Sequence, residues 1–69
     1  METVSVTSTN LSEIAYDSDK QELFIIFHNG KKYRYDAVPA EVWESFKVAE
    51  SKGSFFSSSI KGKYAFIAV

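Results

Sequence analysis

Leu23-Phe24-Ile25-Ile26-Phe27-His28-Asn29-Gly30-Lys31-Lys32-Tyr33-Arg34-Tyr35 is the stretch on which the fold turns. Two runs of β-branched and aromatic residues flank Asn29-Gly30, a strong short-range signature of a β-hairpin. A two-residue loop at Asn29-Gly30 sets Tyr33 and Tyr35 opposite Ile26 and Phe24, and leaves Leu23, Ile25 and Phe27 on a face with Lys32, Arg34 and Asp36. A three-residue loop, His28-Asn29-Gly30 with Gly30 left-handed, pairs Phe27 with Lys31, Ile25 with Tyr33 and Leu23 with Tyr35. The second register gathers Leu23, Ile25, Phe27, Tyr33 and Tyr35 on one face, and period-two patterning selects it. Its reverse face carries Phe24, Ile26, Lys32 and Arg34. Two large apolar residues there call for a cover, which is another segment of the chain, a second subunit or a ligand seated directly on them.

Outward from the hairpin, Leu11 to Tyr16 reads as a short strand closed by the turn-forming Asp17-Ser18-Asp19. On the other side, Pro39 stands where a first helical turn accepts proline. Val42, Phe46 and Ala49 then recur at i, i+4 and i+7 with Trp43 beside them, and Glu41, Glu44, Lys47 and Glu50 cover the rest. This predicts an amphipathic helix over 40–50, packed on the sheet and stopped by Gly53, with Trp43 in the core. Phe55-Phe56 and Ile60 suggest a short second helix or tight loop, and Tyr64 to Val69 a closing strand. The expected fold is α+β: a small antiparallel sheet built around a β-hairpin, packed against one main helix and a short second helix, in a single domain over 1–69.

Composition bounds the rest. The 69 residues are 45% hydrophobic, 25% charged and 16% aromatic, which is globular composition. A domain this short buries only roughly 60% of the surface its unfolded chain exposes, and its core rarely supplies more than about 3–5 kcal/mol. With no cysteine and one histidine, neither a disulfide nor a structural zinc is expected to help. A well-packed monomer or an oligomer is what remains. No stretch approaches the roughly 20 apolar residues of a membrane span, and METVSVTSTN lacks a signal peptide's basic and apolar regions. A soluble, cytoplasmic protein is expected, with no membrane partner. Net charge is −1, but residues 1–30 carry −4 and residues 31–69 carry +3. The bases cluster at Lys31, Lys32, Arg34 and at Lys52, Lys61, Lys63.

Val6-Thr7-Ser8-Thr9-Asn10-Leu11 followed by Ile14-Ala15-Tyr16-Asp17 resembles the opening of the KTSC domain. That small module is named for its place at the C-terminus of some lysyl-tRNA synthetases and also occurs free-standing in bacteria and their phages. The likeness runs on through Leu23, Ile25, Phe27, Gly30, Tyr33, Tyr35, Val38-Pro39, Ala49, Ser51-Lys52-Gly53, Phe55-Phe56 and Ile60-Lys61-Gly62-Lys63-Tyr64. Ala15 stands where the family usually has glycine, and Ser57 where it usually has asparagine. Phe24 and Ile26 replace commonly polar residues. The resemblance implies a compact α+β fold and no established enzymatic activity.

Catalytic constellations are missing. His28 lies at a hairpin tip with no cysteine nucleophile, no serine has a nucleophile-elbow spacing, and Asp17 and Asp19 read as solvated turn acids. Gly53 and Gly62 are too isolated for a phosphate fingerprint. No enzyme, metal or cofactor is expected. The best binding segment runs from Ser51 to Tyr64. Ser57, Ser58, Ser59, Lys61, Lys63 and Tyr64, with Phe56 and Arg34, supply hydroxyls, cations and aromatic faces that suit phosphate oxygens and a base or sugar. The same residues also make sense as core (Phe56) and as capping and turn residues.

Two functions from different classes emerge. One is a small homo-oligomer, with Phe24 and Ile26 at its interface, holding a nucleotide-derived or phosphate-bearing small molecule; in a phage it could sequester a host signalling nucleotide. The other is nucleic-acid binding through Lys31, Lys32, Arg34, Lys61 and Lys63, which the pI of about 5.7 disfavours. A protein-interaction module using Phe24 and Ile26 is a third.

Overall fold

The hairpin forms in the three-residue register. In the computed structural model, which describes residues 1–69, Leu23 pairs with Tyr35 and Ile25 with Tyr33, and Phe27 N donates to Lys31 O at 2.9 Å. Gly30 has φ +89°, a conformation that costs an L side chain energy and glycine almost none. Strands β3 (Glu22–Phe27) and β4 (Lys32–Tyr35) thus meet in the register that alternation selects.

Three further strands complete a meander: β1 (Glu2–Ser5), β2 (Leu11–Asp17) and β5 (Phe66–Ala68). All neighbours are antiparallel, in the order β1-β2-β3-β4-β5. Between β4 and β5 the chain leaves the sheet as α1 (Ala40–Val48), α2 (Lys52–Phe55) and a π-helical turn (Phe56–Ile60). The fold is α+β, as the sequence predicts. Strand β1 was not foreseen, because Glu2, Thr3 and Ser5 surround the single inward Val4. In β2, the register slips between Leu11 and Glu13. This bulge resets the alternation, so that Leu11, Ile14 and Tyr16 are all buried.

The helical segment covers the inner face. Leu11, Ile14, Tyr16, Leu23, Ile25 and Tyr35 from the sheet meet Val38, Trp43, Phe46, Phe56 and Ile60 in one cluster. Trp43 stacks on Tyr16 at 5.4 Å between centroids, and Phe46 on Phe55 at 5.0 Å. Tyr16 donates its hydroxyl to Val38 O, which satisfies the one polar atom the ring brings inside. Trp43 Nε1 donates to Glu2 Oε1 at 2.9 Å, and Lys47 Nζ to Glu2 Oε2 at 3.0 Å, tying α1 to the edge strand β1.

Three expectations need correction. Gly53 does not stop the first helix but lies inside α2; α1 ends at Ala49, which turns extended (ψ 136°), and Lys52 Nζ donates to Ala49 O at 2.6 Å. Pro39 is the N-cap, with extended ψ 151°, rather than a residue of the first turn. No segment of the chain forms a second layer over Phe24 and Ile26. They stand outside the core cluster, half-buried by strand neighbours, with Lys32 Nζ 5.3 Å from the Phe24 ring centroid.

Two outcomes follow for stability. Phe46→Ala is expected to cost about 3–5 kcal/mol in urea unfolding, a large part of the roughly 3–10 kcal/mol available to a chain this size. Phe24→Ala, on the bare face, is expected to cost far less; equal losses would place Phe24 in the core. The hydrogen bonds from Trp43 and then Lys47 hold the Glu2 carboxyl below its ordinary value near 4.5. A depressed folded-state pKa stabilises above the unfolded value, and this is lost as pH falls through the folded one. Glu2→Gln should therefore lower the melting temperature at pH 7 and flatten the wild-type decline below about pH 4.5, seen by thermal melts across pH 2–7.

Candidate functional site

One end of the inner face is left open where four segments converge. The loop after β1 reaches the hairpin tip: His28 N donates to Asn10 O at 3.0 Å, and His28 Nε2 lies 2.8 Å from Ser8 O. Asn29 Oδ1 accepts from Lys31 N at 3.0 Å, holding the tip in shape. Facing them, the Ser51 Oγ cap accepts from Ser54 N at 3.2 Å and starts α2. The π turn closes with Lys61 N donating to Phe56 O at 2.9 Å. Strand β5 supplies the last wall through Phe66.

Between these segments lies a cleft of about 610 Å³. Its apolar walls are Leu11, Phe27, Tyr33, Tyr35, Phe56 and Phe66, and its polar rim is Thr9, Asn10, His28, Asn29, Ser57 and Lys61. The rings lock one another in edge-to-face and stacked pairs: Phe56 against Phe27 and Tyr35, both at 5.8 Å, and Phe66 on Tyr35 at 5.2 Å. Burial, with a smaller contribution from neighbouring Tyr33, pushes the Tyr35 phenol up, so it stays a neutral group at physiological pH. A second hollow of about 420 Å³ adjoins, with no apolar residue in its lining. Ser8, Ser51 and Ser54 belong to it alone, and Thr9, Asn10, Gly53 and Ser57 border both hollows. The two form one groove, aromatic at one end and hydroxyl-rich at the other.

Gly53 is the contact between the halves. A Cβ there would lie 3.3 Å from Ser8 Oγ, so the loop and α2 pack closely enough that a side chain at this position would press on the Ser8 hydroxyl. The chain has nine acids, yet none lines either hollow.

Of the residues singled out in the sequence, Phe56, Ser57 and Lys61 line the groove. Ser58 turns back, its Oγ donating to Ser54 O at 2.9 Å and 3.5 Å from Ser59 Oγ. Ser59 and Lys63 lie outside both linings, Lys63 following the left-handed Gly62. Tyr64 packs half-buried against the core. Arg34 is on the opposite face of the sheet, because it alternates with the inward Tyr33 and Tyr35; its Nε lies 2.9 Å from Asp36 Oδ1 and 3.7 Å from Glu22 Oε2. Sequence reasoning passed over Ser8, Thr9 and Asn10, although a hydroxyl-rich run in a loop was the available signal, and passed over Phe66, which read only as strand. No three His, Asp or Glu side chains are placed to hold a metal ion, and no helix is long and apolar enough to cross a membrane.

His28→Ala is expected to free the loop from the hairpin tip. Amide exchange at Thr7 to Asn10 should accelerate while global stability falls by only about 1 kcal/mol. Unchanged exchange there would show that the backbone bond to Asn10 suffices.

The KTSC domain family model matches residues 7–64. The crystal structure of a KTSC domain protein from Yersinia pestis superimposes with a TM-score of 0.91 at 36% identity, covering 99% of this chain and 96% of that one. An uncharacterized protein of Stutzerimonas stutzeri is 36% identical over 64 residues, 93% of this chain and 90% of its own. Lysine–tRNA ligase of Nostoc punctiforme is 39% identical over 56 residues, which span 81% of this chain and only 10% of the ligase. The chain belongs to the KTSC domain family.

Proposed function

We propose that this KTSC domain is a non-enzymatic binding module, a small homo-oligomer whose groove holds a nucleotide-derived or other phosphate-bearing small molecule. The observation that carries the reading is the acid-free lining of the groove in a chain of net charge −1. An anion entering it meets Lys61 and the Ser57, Thr9 and Ser54 hydroxyls without a carboxylate to repel it, and a heterocycle meets the aromatic walls. Charge-assisted hydrogen bonds fix the anion, and stacking contributes roughly 1–3 kcal/mol per base. In a phage-infected bacterium, such a module would act by sequestering a host signalling nucleotide rather than by transforming it.

Kinship with a segment of lysine–tRNA ligases favours a second reading, RNA binding through Lys31, Lys32, Arg34, Lys61 and Lys63. Against it, Lys32 and Arg34 alternate onto the bare face while Lys61 lines the groove on the other, and Arg34 is already paired with Asp36.

Native mass spectrometry after incubation with a cellular nucleotide extract tests the first reading. A retained, nucleotide-sized mass is expected. Lys61→Ala should lower its retention roughly tenfold or more, with Lys63→Ala close to wild type. A protein that emerges bare sinks the reading, and steep loss of RNA binding with salt would support the second.

A further inference from the structure

The free edge of β5 is unlike the rest of the surface. Asp36 N donates to Ala65 O and Val69 N to Lys32 O, both at 2.9 Å, and Ile67 lies opposite Arg34. In antiparallel pairing, this turns both backbone groups of Ile67 toward β4 and those of Phe66 and Ala68 away from it. Two N–H and two C=O groups are therefore left on an open edge. Around them Phe66 is 57% exposed, Ile67 50% and Val69 58%, and residues 64–69 hold no charged side chain and no proline. Proteins ordinarily protect such an edge with lysine, proline or a bulge. The opposite edge, β1, has polar Glu2, Thr3 and Ser5 for three of its four residues.

We propose that β5 pairs antiparallel with β5 of a second copy across a two-fold axis at Ile67, joining two sheets into one of ten strands. The pattern is self-complementary. Phe66 of each copy faces Ala68 of the other as a hydrogen-bonded pair, which exchanges two bonds on each side of the axis and uses all four open groups of each edge. A large residue meets a small one on the inner face, and Ile67 meets Ile67 on the outer face in the closer, non-hydrogen-bonded position. The nearest cation, Arg34, is already paired with Asp36 and Glu22 within its own copy, so the axis brings no unpaired like charges together. That absence of charged side chains at the axis, with the size matching, is why the occupant is a second copy rather than a charged peptide. Phe24 and Ile26 are not the seam: both are half-buried within their own sheet, and the bare apolar surface is concentrated at β5 instead.

Three residues a side fall well short of the roughly 800 Å² per partner of a standard interface, so the dimer is concentration-dependent. Phe66 also walls the groove. If the groove holds a ligand as proposed, the seam sets two such grooves side by side.

Sedimentation velocity on ligand-free protein, from micromolar to millimolar, tests the seam independently of any ligand. Wild type is expected to shift from monomer to dimer. Ala68→Pro removes an N–H that β4 does not use, so the fold should survive by circular dichroism while the dissociation constant rises roughly tenfold or more. Ile67→Lys, which sets two ammonium groups at the axis, should also give a monomer and keeps the test open should the proline variant misfold. Phe24→Glu should dimerise as wild type does. A wild type that stays monomeric throughout, folded Ala68→Pro or Ile67→Lys variants that still dimerise, or loss of the dimer in Phe24→Glu alone would each overturn the proposal.

Discussion

Everything in this domain depends on the register of one hairpin. With Gly30 left-handed, Leu23, Ile25, Tyr33 and Tyr35 share the inner face; a slip of one residue would set Leu23 and Ile25 on one face with Lys32 and Arg34 and leave Tyr33 and Tyr35 with Phe24 and Ile26 on the other. The inner set carries the aromatic platform on which Phe56 and Phe66 lean, and so sets the walls of the groove. The same alternation exiles Arg34 to the far face, where Asp36 and Glu22 claim it. A single glycine with φ +89° thus decides both what the core is and which cation can reach the cleft.

Charge is sorted by the fold to the same effect. Glu13, Asp17, Glu22 and Asp36 belong to or flank the strands at outward positions, while Glu2 and Glu44 are drawn to Lys47 on α1. What is left at the open end of the sheet is hydroxyl, amide, imidazole and one ammonium. A nearly neutral chain can therefore present a locally acid-free groove, which no whole-chain quantity such as the pI records.

The hairpin, the main helix and its buried Trp43 and Phe46 were legible in the sequence because each rests on local periodicity or on a turn that only certain residues make. Strand β1 was not, since an edge strand with one inward valine leaves no alternation to detect. Gly53 was misread as a stop because glycine serves two ends: here it admits the Ser8 side chain against α2, a contact between residues far apart in sequence. The site was half visible. Phe56, Ser57 and Lys61 stand in one segment whose chemistry is plain, but Ser8, Thr9, Asn10 and Phe66 join them only through the meander, which returns the first loop and the last strand to the same end of the sheet. Ser58 looked identical to Ser57, and helical geometry alone sends it back to Ser54.

The meander has a kinetic consequence. Strands β1 to β4 are joined by short turns, so their pairing closes only small loops and a sheet of this kind can assemble quickly from its central hairpin. Strand β5 is different: residues 36–65, with both helices, intervene between it and β4. Its docking must await their collapse onto the sheet, which makes it the last strand to arrive and, being three residues long, the first to leave. Until it docks, β4 is an edge that offers its backbone to any passing strand, including β5 of a neighbouring chain. During synthesis at high local concentration, that opens a route to exchanged strands between nascent copies.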